Sequence, residues 1–316
     1  MLVRAVVACV FLWTSMSAPG AAASSRAWLE VRFFSAGHGD AALLSTSEDR
    51  HVLIDAGRSA VGDDLTRRRL LPFLEARRIR SLDAFFVSHP HWDHFGNPLG
   101  LYREIPYGAC YLNADGDRVL GGLLRRRGVP VRVVARGERL RLGHLEIEVL
   151  HPGRRAPATS REPRPSMTEE NNRSLVLLVR FGAVRFLFTG DLRDGGEEDV
   201  LHGPFAGALR ADVLKLGHHG LGSTTAPWLD AVRPRYAVAS CGDYDGRWRA
   251  PIADLVKRLR KRRVKLLRTD RHGDIVFRTD GRSLSVRYYP ALSYRPHAGG
   301  PWEAEAPRRA THGERD

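Results

Sequence analysis

Leu82-Asp-Ala-Phe-Phe-Val-Ser-His-Pro-His-Trp-Asp-His94 runs from an apolar strand straight into four metal-ligating side chains. Ala84 to Val87 is an unbroken apolar run, the mark of a strand buried on both faces. His89, His91, Asp93 and His94 follow at once, so they occupy a loop at the strand's end. There, side chains of different direction can converge on one point. Imidazole suits Zn and Mn, and the carboxylate adds charge that holds a second cation. Surface histidines scattered at random do not give this density.

Outward along the chain, two more strand ends carry ligand types. Phe186-Leu-Phe-Thr-Gly-Asp191 closes an apolar strand on Asp191, and Val213-Leu-Lys-Leu-Gly-His-His219 closes another on His218 and His219. Three such ends at one sheet edge predict a dinuclear site, with Asp93 and Asp191 as the carboxylates able to accept a proton. In the pair, His218 is in phase with Leu214 and Leu216 and is the preferred ligand. His219 is the alternative, or faces the substrate.

The remaining pattern alternates strands and helices. Strands are expected over Trp28–Phe34, Ala41–Thr46, Val52–Asp55, Cys110–Leu112, Val131–Ala135 and Leu145–Leu150. In the second half they are expected over Ser174–Arg180, Arg185–Thr189, Val213–Leu216, Tyr236–Ser240, Ile275–Arg278 and Ser283–Tyr289. Helical spacing covers Leu65–Arg78, Val119–Arg127, Thr225–Val232 and Ile252–Arg262. Residues 152–172 are rich in Pro, Arg, Ser and Thr and read as one long loop. No linker divides the chain.

An apolar content of 43% supports a sizeable core and excludes a disordered chain. Arg4, the apolar run Ala5–Trp13 and Ala21-Ala22-Ala23 have the layout of a secretory signal peptide over residues 1–23. The run is shorter than the roughly 20 residues of a spanning helix. The expected product is a secreted or periplasmic chain with no stable membrane span, a hydrolase domain over 24–290 and a disordered tail over 291–316. Cys110 and Cys241 either pair or stay as two buried thiols. The net charge of +14 favours polyanionic partners, although an Arg-rich composition alone produces it.

These residues resemble the metallo-β-lactamase fold superfamily, through Ile54-Asp-Ala-Gly57, the His89–His94 motif and Thr189-Gly-Asp191. Within it the chain is similar to the hydrolase domain of the ComEC/Rec2 competence proteins and their free-standing secreted relatives. Gly37-His-Gly-Asp-Ala-Ala42, Asn171-Asn-Arg-Ser-Leu-Val176, Leu214-Lys-Leu-Gly-His-His-Gly220 and Thr269-Asp-Arg-His-Gly-Asp-Ile275 carry that likeness. The resemblance implies an α/β fold, a four-layer αββα sandwich, holding two divalent metal ions, Zn first and Mn as the alternative. It places His89 and His91 on the first metal, Asp93 and His94 on the second, Asp191 between both, and one histidine of the 218–219 pair on the second. Many relatives have a further first-metal His where this chain has Asn171, which becomes the candidate there. His151 is a weaker substitute beside a plain structural role. Leu221 and Arg249-Ala-Pro251 also depart from the subgroup pattern, in which Ser and Gly-His-Pro are common.

The function this implies is a secreted dinuclear-metal hydrolase cutting phosphodiesters in extracellular DNA or another polyanion. Phospholipid, teichoic-type polymer and β-lactam are the alternative substrates. A secreted DNA-binding protein with a degenerate site is the non-enzymatic alternative, and the intact His89–His94 motif speaks against it. Asp40 and Asp55 are expected to orient ligands, Lys215 to be structural. The basic helix with Lys257, Arg258, Arg260, Lys261, Arg262 and Arg263 is expected to be a solvated face before a phosphate grip.

Overall fold

In the computed structural model, which describes residues 27–60, 63–154, 163–242 and 250–289, the apolar runs pair into two large sheets. The expected signal peptide, the expected tail and Arg249 lie outside the described residues. The first strands are β1 (Leu29–Phe33), β2 (Ala41–Thr46), β3 (His51–Ala56), a small hairpin of β4 (Ser59–Ala60) and β5 (Asp63–Asp64), β6 (Ala84–Val87), β7 (Cys110–Leu112) and β8 (Val131–Val133). Then come β9 (Arg139–Leu142), β10 (Leu145–His151), β11 (Val176–Phe181), β12 (Val184–Phe188), β13 (Val213–Lys215), β14 (Tyr236–Ala239), β15 (Lys265–Arg268), β16 (Asp274–Thr279) and β17 (Leu284–Tyr289). One sheet has the order β17-β16-β1-β2-β3-β6-β7-β8, the other β15-β14-β13-β12-β11-β10-β9. The chain closes by returning β16 to β1, with Val31 opposite Phe277.

Alternation within each strand sends one set of side chains between the sheets and the other outward. Val31, Phe33, Ile54 and Phe86 of the first sheet meet Ile147, Val179, Phe186 and Val213 of the second in a shared core. Phe33 stacks on Phe188 across this interface, with ring centroids 5.5 Å apart. Truncating such a ring costs about 3–5 kcal/mol. The outward faces are covered by helices. Leu74, Leu101 and Leu124 cover the first sheet, and Trp228, Leu255 and Leu259 the second. This makes the four αββα layers expected from the sequence.

β6 runs parallel to β3, and β13 runs parallel to both β12 and β14. The loops at the carboxyl ends of these strands carry the predicted ligands.

Several elements differ from the sequence reading. The segment 152–172 is not all loop, since Met167–Asn172 is helical and begins in a capping box of Ser166 and Glu169. Helices at Pro98–Glu104 and Asp194–Leu201 and the strand Arg139–Leu142 were not legible. The Leu140 and Leu142 stripe is only half-buried, and two glycines interrupt Asp194–Leu201. Cys110 and Cys241 are both buried and unpaired with each other. Burial pushes the Cys241 thiol up to about 12. Among the described residues no helix is long and apolar enough to cross a membrane.

Candidate metal centre

The His89–His94 loop leaves the end of β6 and folds against three other loops. Gly39 permits one close approach: a Cβ there would lie 2.6 Å from the Asp93 carbonyl oxygen. The backbone of Asp40 donates to that same oxygen at 3.2 Å. Gly190 permits another, with φ of +48° and only 2.7 Å from its would-be Cβ to the Ser88 side chain. Asp191 is thereby brought beside the histidine loop, its backbone N–H held by Ser174 Oγ at 3.1 Å.

The donor atoms of His89, His91 and Asp191 lie within 4.8 Å of one another, as do those of Asp93, His94, Asp191 and His219. Asp191 belongs to both groups. Its Oδ1 lies 3.1 Å from His94 Nε2 and 3.5 Å from His219 Nε2. Its Oδ2 lies 3.8 Å from His89 Nε2 and 3.8 Å from His218 Nε2. The strand-phase expectation for His218 does not hold beyond Lys215. β13 ends there, and His218 and His219 turn into left-handed backbone at φ +47° and +56°. His219 therefore swings inward and is fully buried, while His218 keeps 19% of its side chain exposed at the margin. Two consecutive non-glycine residues in this region store strain of the kind held at functional sites.

Each imidazole is pinned by one nitrogen. His94 Nδ1 donates to Asp55 Oδ2 at 2.9 Å. His91 Nε2 donates to Glu170 Oε2 at 3.0 Å, and His219 Nδ1 to the Ser240 carbonyl at 2.9 Å. Ser88 gives its hydroxyl proton to Asp55, so its oxygen accepts from His89 Nδ1 at 3.0 Å. His218 Nδ1 donates to the Leu221 carbonyl at 3.2 Å. These bonds fix the tautomers. They leave His89 Nε2, His94 Nε2, His219 Nε2 and Asp191 Oδ1 buried with no hydrogen-bond partner. Buried polar atoms are rarely left so, and a divalent cation is the group that this donor set fits.

The electrostatics agree. Asp40, Asp55, Asp93 and Asp191 are all buried here, and Lys215 is the one buried lysine among them, 2.5 Å from Asp40 Oδ2. Burial opposes charge on Asp40, but Lys215 and His219 outweigh it and hold the carboxyl down at about 2. Burial likewise opposes charge on His219, but Asp191 and Asp40 push it up to about 10. His94 is raised well above its ordinary value against burial, chiefly by Asp191 and Asp55. The carboxylates thus demand positive charge from protons when no cation supplies it. His89 moves the other way, lowered by burial and by His94, and is a neutral donor. Burial and His219 bring His38 down to about 4; its ring packs at a tilt against His219 at 4.4 Å, with Nε2 3.7 Å from Asp93.

Of the other expected residues, Asp55 accepts from His94 Nδ1, and Asp40 Oδ1 lies 3.3 Å from His219 Nδ1. Lys215 is structural in the sense that it balances Asp40 from the floor of the site. Asn171 is buried, its amide oxygen without a partner. His151 donates from Nε2 to the Asn172 carbonyl at 2.8 Å, which is its structural role. Glu170 was missed. Its carboxylate is buried and bridges His91 to Arg164 Nε at 3.0 Å. The signal for it was the capping box, which fixes a helix and so turns residue 170 inward.

The family model described as "Metallo-beta-lactamase superfamily" matches residues 35–243. ComE operon protein 3 of Bacillus subtilis is 31% identical over 281 residues, covering 83% of this chain and 34% of its own length. Competence protein ComA of Neisseria gonorrhoeae is 34% identical, covering 78% of this chain and 32% of its own. The chain spans about a third of the length of these relatives. Among solved structures, the metallo-beta-lactamase fold protein YhfI of Bacillus subtilis superposes with a TM-score of 0.51 at 13% identity, over 79% of this chain and 100% of that one.

Proposed function

Because the chain belongs to the metallo-beta-lactamase superfamily of metal-dependent hydrolases, we propose that it is a secreted dinuclear-metal phosphodiesterase acting on extracellular DNA or another polyanion. The observation that carries this reading is the position of Asp191, whose two oxygens face different histidines, Oδ1 toward His94 and His219 and Oδ2 toward His89 and His218. A carboxylate so placed is suited to join two cations held a few ångströms apart.

In this reading His89 and His91 would hold the first cation, with Asn171, buried and with its amide oxygen unpartnered, as the further candidate. Asp93, His94 and His219 would hold the second, with Asp191 belonging to both donor groups. A pair of divalent cations, Zn first and Mn as the alternative, supplies a nucleophilic water at neutral pH and a field for the charge that grows on a phosphoryl oxygen. The chain's own residues do the rest. Asp93 and Asp191 are the carboxylates placed to take the proton of the attacking water. Asp55, Ser88, Glu170 and the Ser240 carbonyl keep the ligand nitrogens aimed. His218, part-exposed at the margin of the centre and lowered in pKa by burial, is left for contact with substrate.

Secretion rests on the signal-like residues 1–23. The nucleic-acid preference rests on the positive charge and on relatives named for competence and, in Haemophilus influenzae, for recombination. The test is metal content together with a panel of DNA, an aryl phosphodiester, phospholipid and a chromogenic cephalosporin, repeated on Asp93→Ala. The expected result is two metal ions per chain and cleavage of DNA and aryl phosphodiester, lost in the variant. No cleavage of any nucleic acid with Zn or Mn supplied would sink the DNA assignment.

A further inference from the structure

We propose that the outer helix layer carries a second binding site, a cleft for the phosphate backbone of a nucleic acid. It deepens the polyanion reading above but does not depend on catalysis. The cleft encloses about 800 Å³ against the helices Leu71–Ala76 and Pro98–Glu104. Arg67, Arg78, Arg80, Arg103 and Arg127 line it, against Glu75 and Glu104. All five arginines are exposed, and among the described residues none of their guanidinium groups has a hydrogen bond or an ion pair. An excess of three positive charges without local partners is an unbalanced field.

The basic helix singled out in the sequence is different. Arg262 is spent on Asp230 at 2.7 Å, Arg258 on the Ser223 carbonyl and Lys257 on Asp254. The arginines of the cleft remain available, and a planar guanidinium matches phosphate oxygens two at a time. The cleft floor is aliphatic, from Leu71, Ile79, Leu99 and Ile105, and none of its lining residues is aromatic. Bases therefore have no stacking platform, so the site reads the backbone and tolerates any sequence. None of the exposed large hydrophobic residues lines it, which disfavours a lipid surface. Asn97, three residues after His94, stands in the lining, so a bound strand lies on the flank of the loop that bears the metal ligands.

The experiment is fluorescence anisotropy of a labelled 30-base-pair DNA duplex with the full chain in EDTA, from 50 to 300 mM salt. The wild type is expected to bind with a logarithmic salt slope of about −4.5 if all five arginines engage phosphates. Arg67→Glu with Arg103→Glu is expected to weaken binding at least tenfold and to flatten the slope by about 2. Arg260→Glu with Lys261→Glu, an equal change of charge elsewhere, is expected to leave most of it. Cleavage of a small aryl phosphodiester by the metal-loaded cleft variant is expected to equal wild type, which also shows that it folds. Equal losses in both double variants, equal binding of polyglutamate, or no binding by the wild type would each overturn the proposal. Retained binding by a chain that cuts nothing would overturn the phosphodiesterase reading and leave this one standing.

Discussion

Asp191 Oδ1 lies 3.1 Å from His94 Nε2, the shortest approach between Asp191 and any imidazole of the centre. The contact joins the end of β12 in one sheet to the loop after β6 in the other. It is also a contact between two groups that bear opposite charge without metal, since His94 holds Asp191 well below the ordinary carboxyl range although burial opposes it. Asp191→Ala removes the one side chain common to both ligand groups. Metal content by mass spectrometry should fall from two ions per chain to below one. Phosphodiester cleavage should fall roughly 10²–10³-fold, the size of effect seen when a preorganised electrostatic group is removed. A variant that keeps two ions would refute the shared role.

His218 and His219 are neighbours with opposite surroundings. His219 is fully buried, with Nε2 3.3 Å from Asp93 Oδ2, whereas His218 lies beside Asp191 alone and is partly open. His219→Ala should lose one of two ions per chain. His218→Ala should keep both and lower phosphodiester turnover instead. Metal counts reversed between the two variants would restore the strand-phase assignment.

Much of this candidate centre was legible because its His and Asp side chains follow strand ends, where apolar runs stop. That pattern located His89, His91, Asp93, His94 and Asp191 and the layers around them. It does not extend to the orientation of His218 and His219, because strand periodicity cannot be carried into a turn with positive φ, and nothing in Gly-His-His-Gly announces left-handed backbone at both histidines. It failed at Glu170 for a related reason. Residues 152–172 read as one long loop, so the capping box of Ser166 and Glu169 that turns residue 170 inward was passed over. Lys215 reads as structural, but its burial against Asp40 depends on a contact between residues far apart in sequence, which no local pattern encodes.

Glu170 accepts from His91 Nε2 and from Arg164 Nε, so it orients an imidazole and ties it to the segment before the helix Met167–Asn172. Loss of a carboxylate behind a ligating histidine costs about 10–100-fold in metal affinity. Competition with a chromophoric chelator should show this loss for Glu170→Ala, confined to one of the two ions. Glu170→Gln keeps an acceptor oxygen and should lose less. Equal affinities for wild type and Glu170→Ala would show that His91 is held by other contacts.

Lys215 and Asp40 form a buried ion pair that also supports His219. Breaking such a pair from one side leaves an uncompensated charge and costs about 3–5 kcal/mol. Lys215→Met should lower stability by that amount in urea unfolding of the metal-free protein. The double variant Lys215→Met with Asp40→Asn should recover part of it, because no bare charge remains. If the single and double variants unfold alike, the two side chains do not act as a pair.

Glu148 tests the electrostatics away from the centre. It lies in β10, 1% exposed, and accepts from Arg139 Nη2 at 2.6 Å and Arg180 Nη1 at 2.6 Å, on the strands to either side. Burial opposes its charge, but the two arginines outweigh it and lower the carboxyl below its ordinary value of 4.5. A carboxyl lowered in the folded state binds its proton more readily when unfolded, so the stabilisation is full above the unfolded value. It is lost as pH falls through the folded one. Glu148→Gln should therefore cost about 1–3 kcal/mol near pH 7. The gap to wild type should stay constant down to about pH 5 and narrow below it, as the wild-type carboxylate is protonated. Urea unfolding of both proteins across that range measures the gap directly. A difference that stays constant to pH 3 would show that packing, and not the charge on Glu148, holds these three strands in register.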